Sequence, residues 1–94
     1  MIKIAKKVNI SGKVQGVGYR FWLKNKAIKC GLCGWVRNMP NGSVEALLIG
    51  KEEDVNNVIE QCKLGPTLSN VKKVIIKDYQ AEYNSKSFEI LNSS

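Results

Sequence analysis

The hydrophobic period of this chain switches between 2 and 3.6 residues in a fixed order, and that order restricts the fold more than any other feature. Val8 and Ile10 alternate with Lys7, Asn9 and Ser11. Alternation puts successive side chains on opposite sides of a strand, so a half-buried strand is predicted over about residues 6–13. From Tyr19 the spacing changes. Tyr19, Trp22 or Leu23, Ala27 and Cys30 fall on one helical face, with Arg20, Lys24, Asn25 and Lys29 largely on others. Gly31 is placed to end that helix as its C′ residue. Leu32 to Met39 alternates again, with Gly34, Val36 and Asn38 on one side and Cys33, Trp35 and Arg37 on the other. Pro40-Asn41-Gly42 is a strong turn signal, and Ser43 to Ile49 completes a hairpin over 32–49. Gly50 interrupts it. Asp54 to Leu64 is a second amphipathic helix, with Val55, Val58, Ile59 and Cys62 at i, i+3, i+4 and i+7, and Gly65-Pro66 ends it. Val71 to Tyr79 reads as a fourth strand and Ser87 to Leu91 as a short fifth.

The order is β-α-β-β-α-β with one added strand. This is the split βαβ pattern of the ferredoxin-like α+β sandwich. Two helices are expected on one face of an antiparallel sheet. With 94 residues and no linker, repeat or low-complexity tract, residues 1–94 are expected to form one domain. Ferredoxin-like folds host enzymes, RNA binders and metal carriers, so function has to be read from a site.

Composition narrows the chemistry. The chain has no histidine, which excludes Ser-His and Cys-His nucleophile pairs, phosphohistidine and His-ligated metals. Its three cysteines, Cys30, Cys33 and Cys62, cannot build a disulfide framework. The N-terminal stretch is charged and lacks the apolar core of a signal peptide. No apolar run approaches the roughly 18 residues a membrane span needs. A cytoplasmic setting is therefore expected. The net charge of +7 favours anionic partners.

The informative stretch is Gly12-Lys13-Val14-Gln15-Gly16-Val17-Gly18-Tyr19-Arg20-Phe21-Trp22. A strand ends, a loop with two glycines follows, and a helix begins near Arg20. Glycines let backbone N–H groups turn inward around one point. Such a nest beside a helix N-terminus is an anion site. The planar guanidinium of Arg20 matches phosphate oxygens in a way that Lys does not. A cation there otherwise opposes the helix dipole, and a bound dianion reverses that cost. The same residues also allow a plain tight turn with Arg20 as a solvated surface charge. The pattern is neither a nucleotide P-loop nor Gly-x-Gly-x-x-Gly, and it contains no cysteine to carry a phosphoryl group.

This loop, with Gly34-Trp35-Val36-Arg37-Asn38 and Asn41-Gly42-Ser43-Val44-Glu45 after it, closely resembles acylphosphatase. The resemblance extends from Val8 to Phe88-Glu89-Ile90. It implies hydrolysis of acyl phosphates to a carboxylate and inorganic phosphate. It implies that Arg20 binds the phosphoryl group and that the N–H groups of Gln15, Gly16, Val17, Gly18, Tyr19 and Arg20 cradle it. It implies that Asn38, expected at the rim of the helix-covered sheet face, positions the attacking water. The departures are Asn41, where Asp or Lys is common, and Tyr19, where Phe is common. No metal or cofactor is implied. The expected partners are a small acyl phosphate and inorganic phosphate as product and inhibitor. Neither nucleic acid nor membrane is expected as a partner, and a monomer is the expected state.

Other features read as structural. Cys30-Gly31-Leu32-Cys33 lies at a helix C-terminal end, where the dipole opposes a thiolate, so core packing suits Cys30 better than redox chemistry. Trp22 and Trp35 read as packing residues, with Trp35 on the sheet face away from the helices. Lys6-Lys7 and Lys72-Lys73 read as solvated charges. The rival function is a basic RNA-binding module. Gly16-Val17-Gly18-Tyr19-Arg20-Phe21 mimics part of an RRM aromatic motif, but here it enters the first helix instead of lying on a central strand.

Overall fold

The computed structural model describes residues 3–80 and 86–92. Its elements follow in the expected order: β1 (Lys3–Lys13), α1 (Tyr19–Lys29), β2 (Cys33–Asn38), β3 (Val44–Lys51), α2 (Glu52–Cys62), β4 (Asn70–Asp78) and β5 (Phe88–Ile90). The sheet order is β4-β1-β3-β2-β5, the ferredoxin-like arrangement with β5 added at the β2 edge. β1 pairs antiparallel with both β3 (Val8 opposite Ala46) and β4 (Val8 opposite Ile76). β2 and β3 form the hairpin, with Asn38 opposite Val44.

One expectation needs correcting. β5 runs parallel to β2, with Val36 opposite Ile90, so the sheet is mixed and not wholly antiparallel. The cause is topological. β4 occupies the far edge and runs opposite to β2, and the chain returns along the other edge in the reverse direction. A three-residue strand reached by a long return carries no hairpin signal that would reveal its direction. Smaller shifts have local causes. β1 begins earlier than periodicity suggested because Lys3, Ile4 and Ala5 continue the ladder against Lys51, Gly50 and Ile49. α2 begins at Glu52, where three acidic residues in its first turn suit the helix dipole.

Alternation along the strands buries one sheet face under the helices. Val8, Ile10, Val36, Val44, Ala46 and Leu48 meet Tyr19, Leu23 and Ala27 of α1 and Val55, Val58, Ile59 and Cys62 of α2 in one core. Cys30 and Trp22 are half-buried against this core, consistent with packing roles. Trp35 lies on the open face, where the Arg37 guanidinium stacks 5.0 Å from its ring. Lys6 and Lys7 are more than solvated charges. Lys6 pairs with Asp78, and the Lys7 ammonium sits 5.0 Å from the Tyr79 ring. Among the described residues no helix is long and apolar enough to cross a membrane.

Candidate active site

The loop between β1 and α1 is anchored at one end and left open in the middle. Val14 is buried in the core, and Val17 packs partly against it. Between and after them, Gly16 (φ 73°) and Gly18 (φ 78°) take the left-handed conformation, while no other residue type in the described chain has positive φ. An added Cβ at either glycine would meet no heavy atom, so the backbone conformation itself is what calls for glycine here. Alternation of left-handed glycines with ordinary residues is the backbone pattern that gathers N–H groups into an anion-binding nest.

Gly18 is also the N-cap of α1. No side chain caps this terminus, and no acidic residue lies in the first turn. The first N–H groups of the helix therefore have no partner from their own turn, and the positive end of the dipole is uncompensated. Arg20 adds a further cation in the same turn. Arg20, Gly16, Gly18 and Tyr19 line a cavity of about 260 Å³ together with Asn38 across from them. The site thus combines a basic, N–H-rich wall with one amide from a different element.

Asn38 ends β2, and its backbone pairs with Val44. Its Oδ1 atom is buried and has no hydrogen-bond partner among the described residues. A buried acceptor left unsatisfied costs about 1–3 kcal/mol, so it calls for an explanation. The rim position expected from the sequence is the one observed.

The side chains of two residues whose N–H groups belong to the expected cradle turn away from the cavity. Val17 turns toward the core. The Gln15 side chain turns to the β2–β3 turn, where its Nε2 donates to the Met39 carbonyl (2.8 Å) and the Ser43 carbonyl (2.9 Å). The Tyr19 hydroxyl also points away, donating to the Cys62 carbonyl at 2.6 Å. Burial holds the Tyr19 phenol well above its usual pKa. The same burial pushes the Cys62 thiol up to about 12. Both stay neutral and structural at physiological pH. With Tyr19 in the core, the RRM-like stretch offers no aromatic platform on the sheet.

Three wall residues lie outside the expected site: buried Val14, Phe21 and Ile90. Phe21, 65% exposed, and Ile90 in β5, 36% exposed, give the cavity an apolar side. Phe21 sits off the apolar helical stripe, which is itself the signal that could have marked it. Ile90 depended on knowing where β5 lies.

Comparison with known proteins agrees with this geometry. The acylphosphatase family profile matches residues 6–90. An acylphosphatase of Rhodopseudomonas palustris is 48% identical over 82 residues, covering 87% of this chain and 83% of that protein. An acylphosphatase structure from Coxiella burnetii superposes with TM-score 0.89 at 31% identity, covering 95% of this chain and 93% of the other. Full-length HypF in a phosphate- and nucleotide-bound form matches with TM-score 0.90 at 31% identity, over 98% of this chain but 12% of the larger one. The loop, the uncapped helix start and the matching family together lead to one assignment: this chain belongs to the acylphosphatase family and is an enzyme that hydrolyses acyl phosphates.

Proposed function

We propose that Arg20 and the backbone N–H groups of residues 15–20 bind the phosphoryl group, and that Asn38 orients the attacking water. An acyl phosphate is an activated anhydride whose carboxylate leaves without a strong acid. The protein's tasks are then charge stabilisation on the phosphoryl oxygens and placement of water. The Arg20 fork and the α1 terminus serve the first. The Asn38 amide serves the second, because it both donates and accepts. Water oxygen bonds to phosphorus, the phosphorus–acyl oxygen bond breaks, and the carboxylate keeps the bonding pair. The water proton passes to a phosphoryl oxygen of the substrate, so no protein base is required and the lack of histidine is no obstacle.

The observation that carries this reading is that Arg20 of α1 and Asn38 of β2 line one cavity together with the glycine loop. Inorganic phosphate competes at the same cradle as product and inhibitor. The reading requires no metal or cofactor, and the enzyme acts as a cytoplasmic monomer. Hydrolysis of benzoyl phosphate in the presence of a chelator tests it directly. Turnover is expected to match that without chelator, and loss of turnover restored by a divalent cation would overturn the reading.

A further inference from the structure

Two groups that must act on one phosphorus atom come from separate stretches of chain. The phosphate grip sits at the start of α1, and Asn38 sits at the end of β2. Their separation has to hold within fractions of an ångström for efficient attack. Asn38 gets no help from its own Oδ1, which makes no hydrogen bond among the described residues. Its placement therefore depends on the backbone that carries it, and that backbone leads at once into the turn from Met39 to Ser43.

This turn is stiff. Met39 N–H donates to the Ser43 carbonyl at 2.8 Å. The Ser43 N–H (3.0 Å) and hydroxyl (2.6 Å) both donate to Asn41 Oδ1. Asn9 Nδ2 of β1 donates to the Ser43 hydroxyl oxygen at 3.1 Å. Gln15 reaches into this turn from the phosphate loop. Its side-chain amide meets the carbonyls of Met39 (2.8 Å) and Ser43 (2.9 Å), so both amide hydrogens are committed. These two side-chain hydrogen bonds join the loop to the turn. Gln15 does not line the cavity, so its side chain is not a phosphate ligand.

From this arrangement, and resting on the roles proposed above for Arg20 and Asn38, we propose that Gln15 is a positioning residue. Its amide sets the gap between the phosphate grip and Asn38 by holding Met39, the next residue along. Removing the clamp leaves Arg20 and the glycine backbone in place, so phosphate still binds. Asn38 is then free to drift, and the water with it.

The test is a double-mutant cycle with benzoyl phosphate. Gln15→Met keeps the length of the side chain and removes both donors. A 1 Å misplacement at a reacting centre lowers the rate by about a hundredfold, so kcat is expected to fall between tenfold and that limit. Inhibition by inorganic phosphate should stay within about threefold, because a shift at Asn38 leaves the grip untouched. In an Asn38→Ala background the same substitution should change kcat little, because the group it positions is gone. Gln15→Asn, which keeps the amide but falls one methylene short, gives the same cycle if the Met variant folds poorly. Equal losses in both backgrounds would remove the assignment. So would a phosphate inhibition constant rising in step with the loss of kcat, or a lowered melting temperature with normal kcat. If Asn38→Ala itself turns over like the parent enzyme, the roles proposed above fall first and this inference falls with them.

Discussion

The two helices have the same length and cover the same sheet face, yet they begin in opposite ways. α2 opens with Glu52, Glu53 and Asp54 in its first turn, so its own chain satisfies the positive end of its dipole. Neither helix has a side-chain cap, but α1 opens on left-handed Gly18 with no acid in its first turn and then places Arg20 there. A start like that of α2 favours stability, and a start like that of α1 gives some of it up. The difference teaches where to look for function: a helix terminus that its own sequence leaves unsatisfied is open to a ligand.

The strongest way to break the comparison is Arg20→Ala. By analogy with removal of an oxyanion donor, transition-state stabilisation should fall by at least about 2.7–4 kcal/mol, read as kcat/KM for benzoyl phosphate. Arg20→Glu goes further and gives α1 a start like that of α2. It should stabilise the fold by about 0.3–1 kcal/mol in thermal melts while abolishing phosphate inhibition. A variant that is both less stable and inactive would show that Arg20 serves the fold.

Asn38→Ala comes next. Turnover should fall by about a hundredfold while phosphate inhibition largely remains, since the amide belongs to the water and not to the grip. Equal loss of phosphate affinity would make Asn38 a ligand.

A third experiment probes a buried hydrogen bond between the helices, from the Tyr19 hydroxyl to the Cys62 carbonyl. Tyr19 and Cys62 both have raised pKa values, so the folded state holds protons that the unfolded state releases. Their contribution is complete below pH 9, near the ordinary Cys62 value, and is lost as pH rises toward about 12. Melting temperature should decline over that range, and Cys62→Ala should make the decline shallower. An unchanged slope in that variant would assign the decline to other groups.

The smallest effect is expected at α2. Glu52→Gln and Glu53→Gln should each lower stability by about 0.3–1 kcal/mol at low salt, with turnover unchanged. Altered turnover would mean that the two helix starts are not independent.

Much of this was legible in the residues because local signals and tertiary structure agree. Val8 and Ile10, the Asn41-Gly42 turn and the Val55–Cys62 stripe each point to the element that forms. Gly16, Gly18 and Arg20 marked one wall of the cavity, and alternation along β2 put Asn38 on the correct face. The remainder depended on long-range placement. β5 has three residues and no turn to fix its direction, so neither its parallel pairing nor Ile90 at the cavity was readable. Gln15 lay within the recognised stretch, but its partners are backbone carbonyls that become neighbours only once the sheet closes. The bare Oδ1 of Asn38 is an absence of contact, which no spacing can encode.

The strand order β4-β1-β3-β2-β5 also sets when the enzyme can first exist. β1 is made early, but its partners are distant in sequence: Val8 waits for Ala46 on one side and Ile76 on the other. Only the β2–β3 hairpin joins strands that are adjacent in both sequence and space. Such non-local pairing makes folding slower than in a helical bundle of the same size. During synthesis the phosphate loop is made before its framework, and it waits until β3 and then β4 have followed.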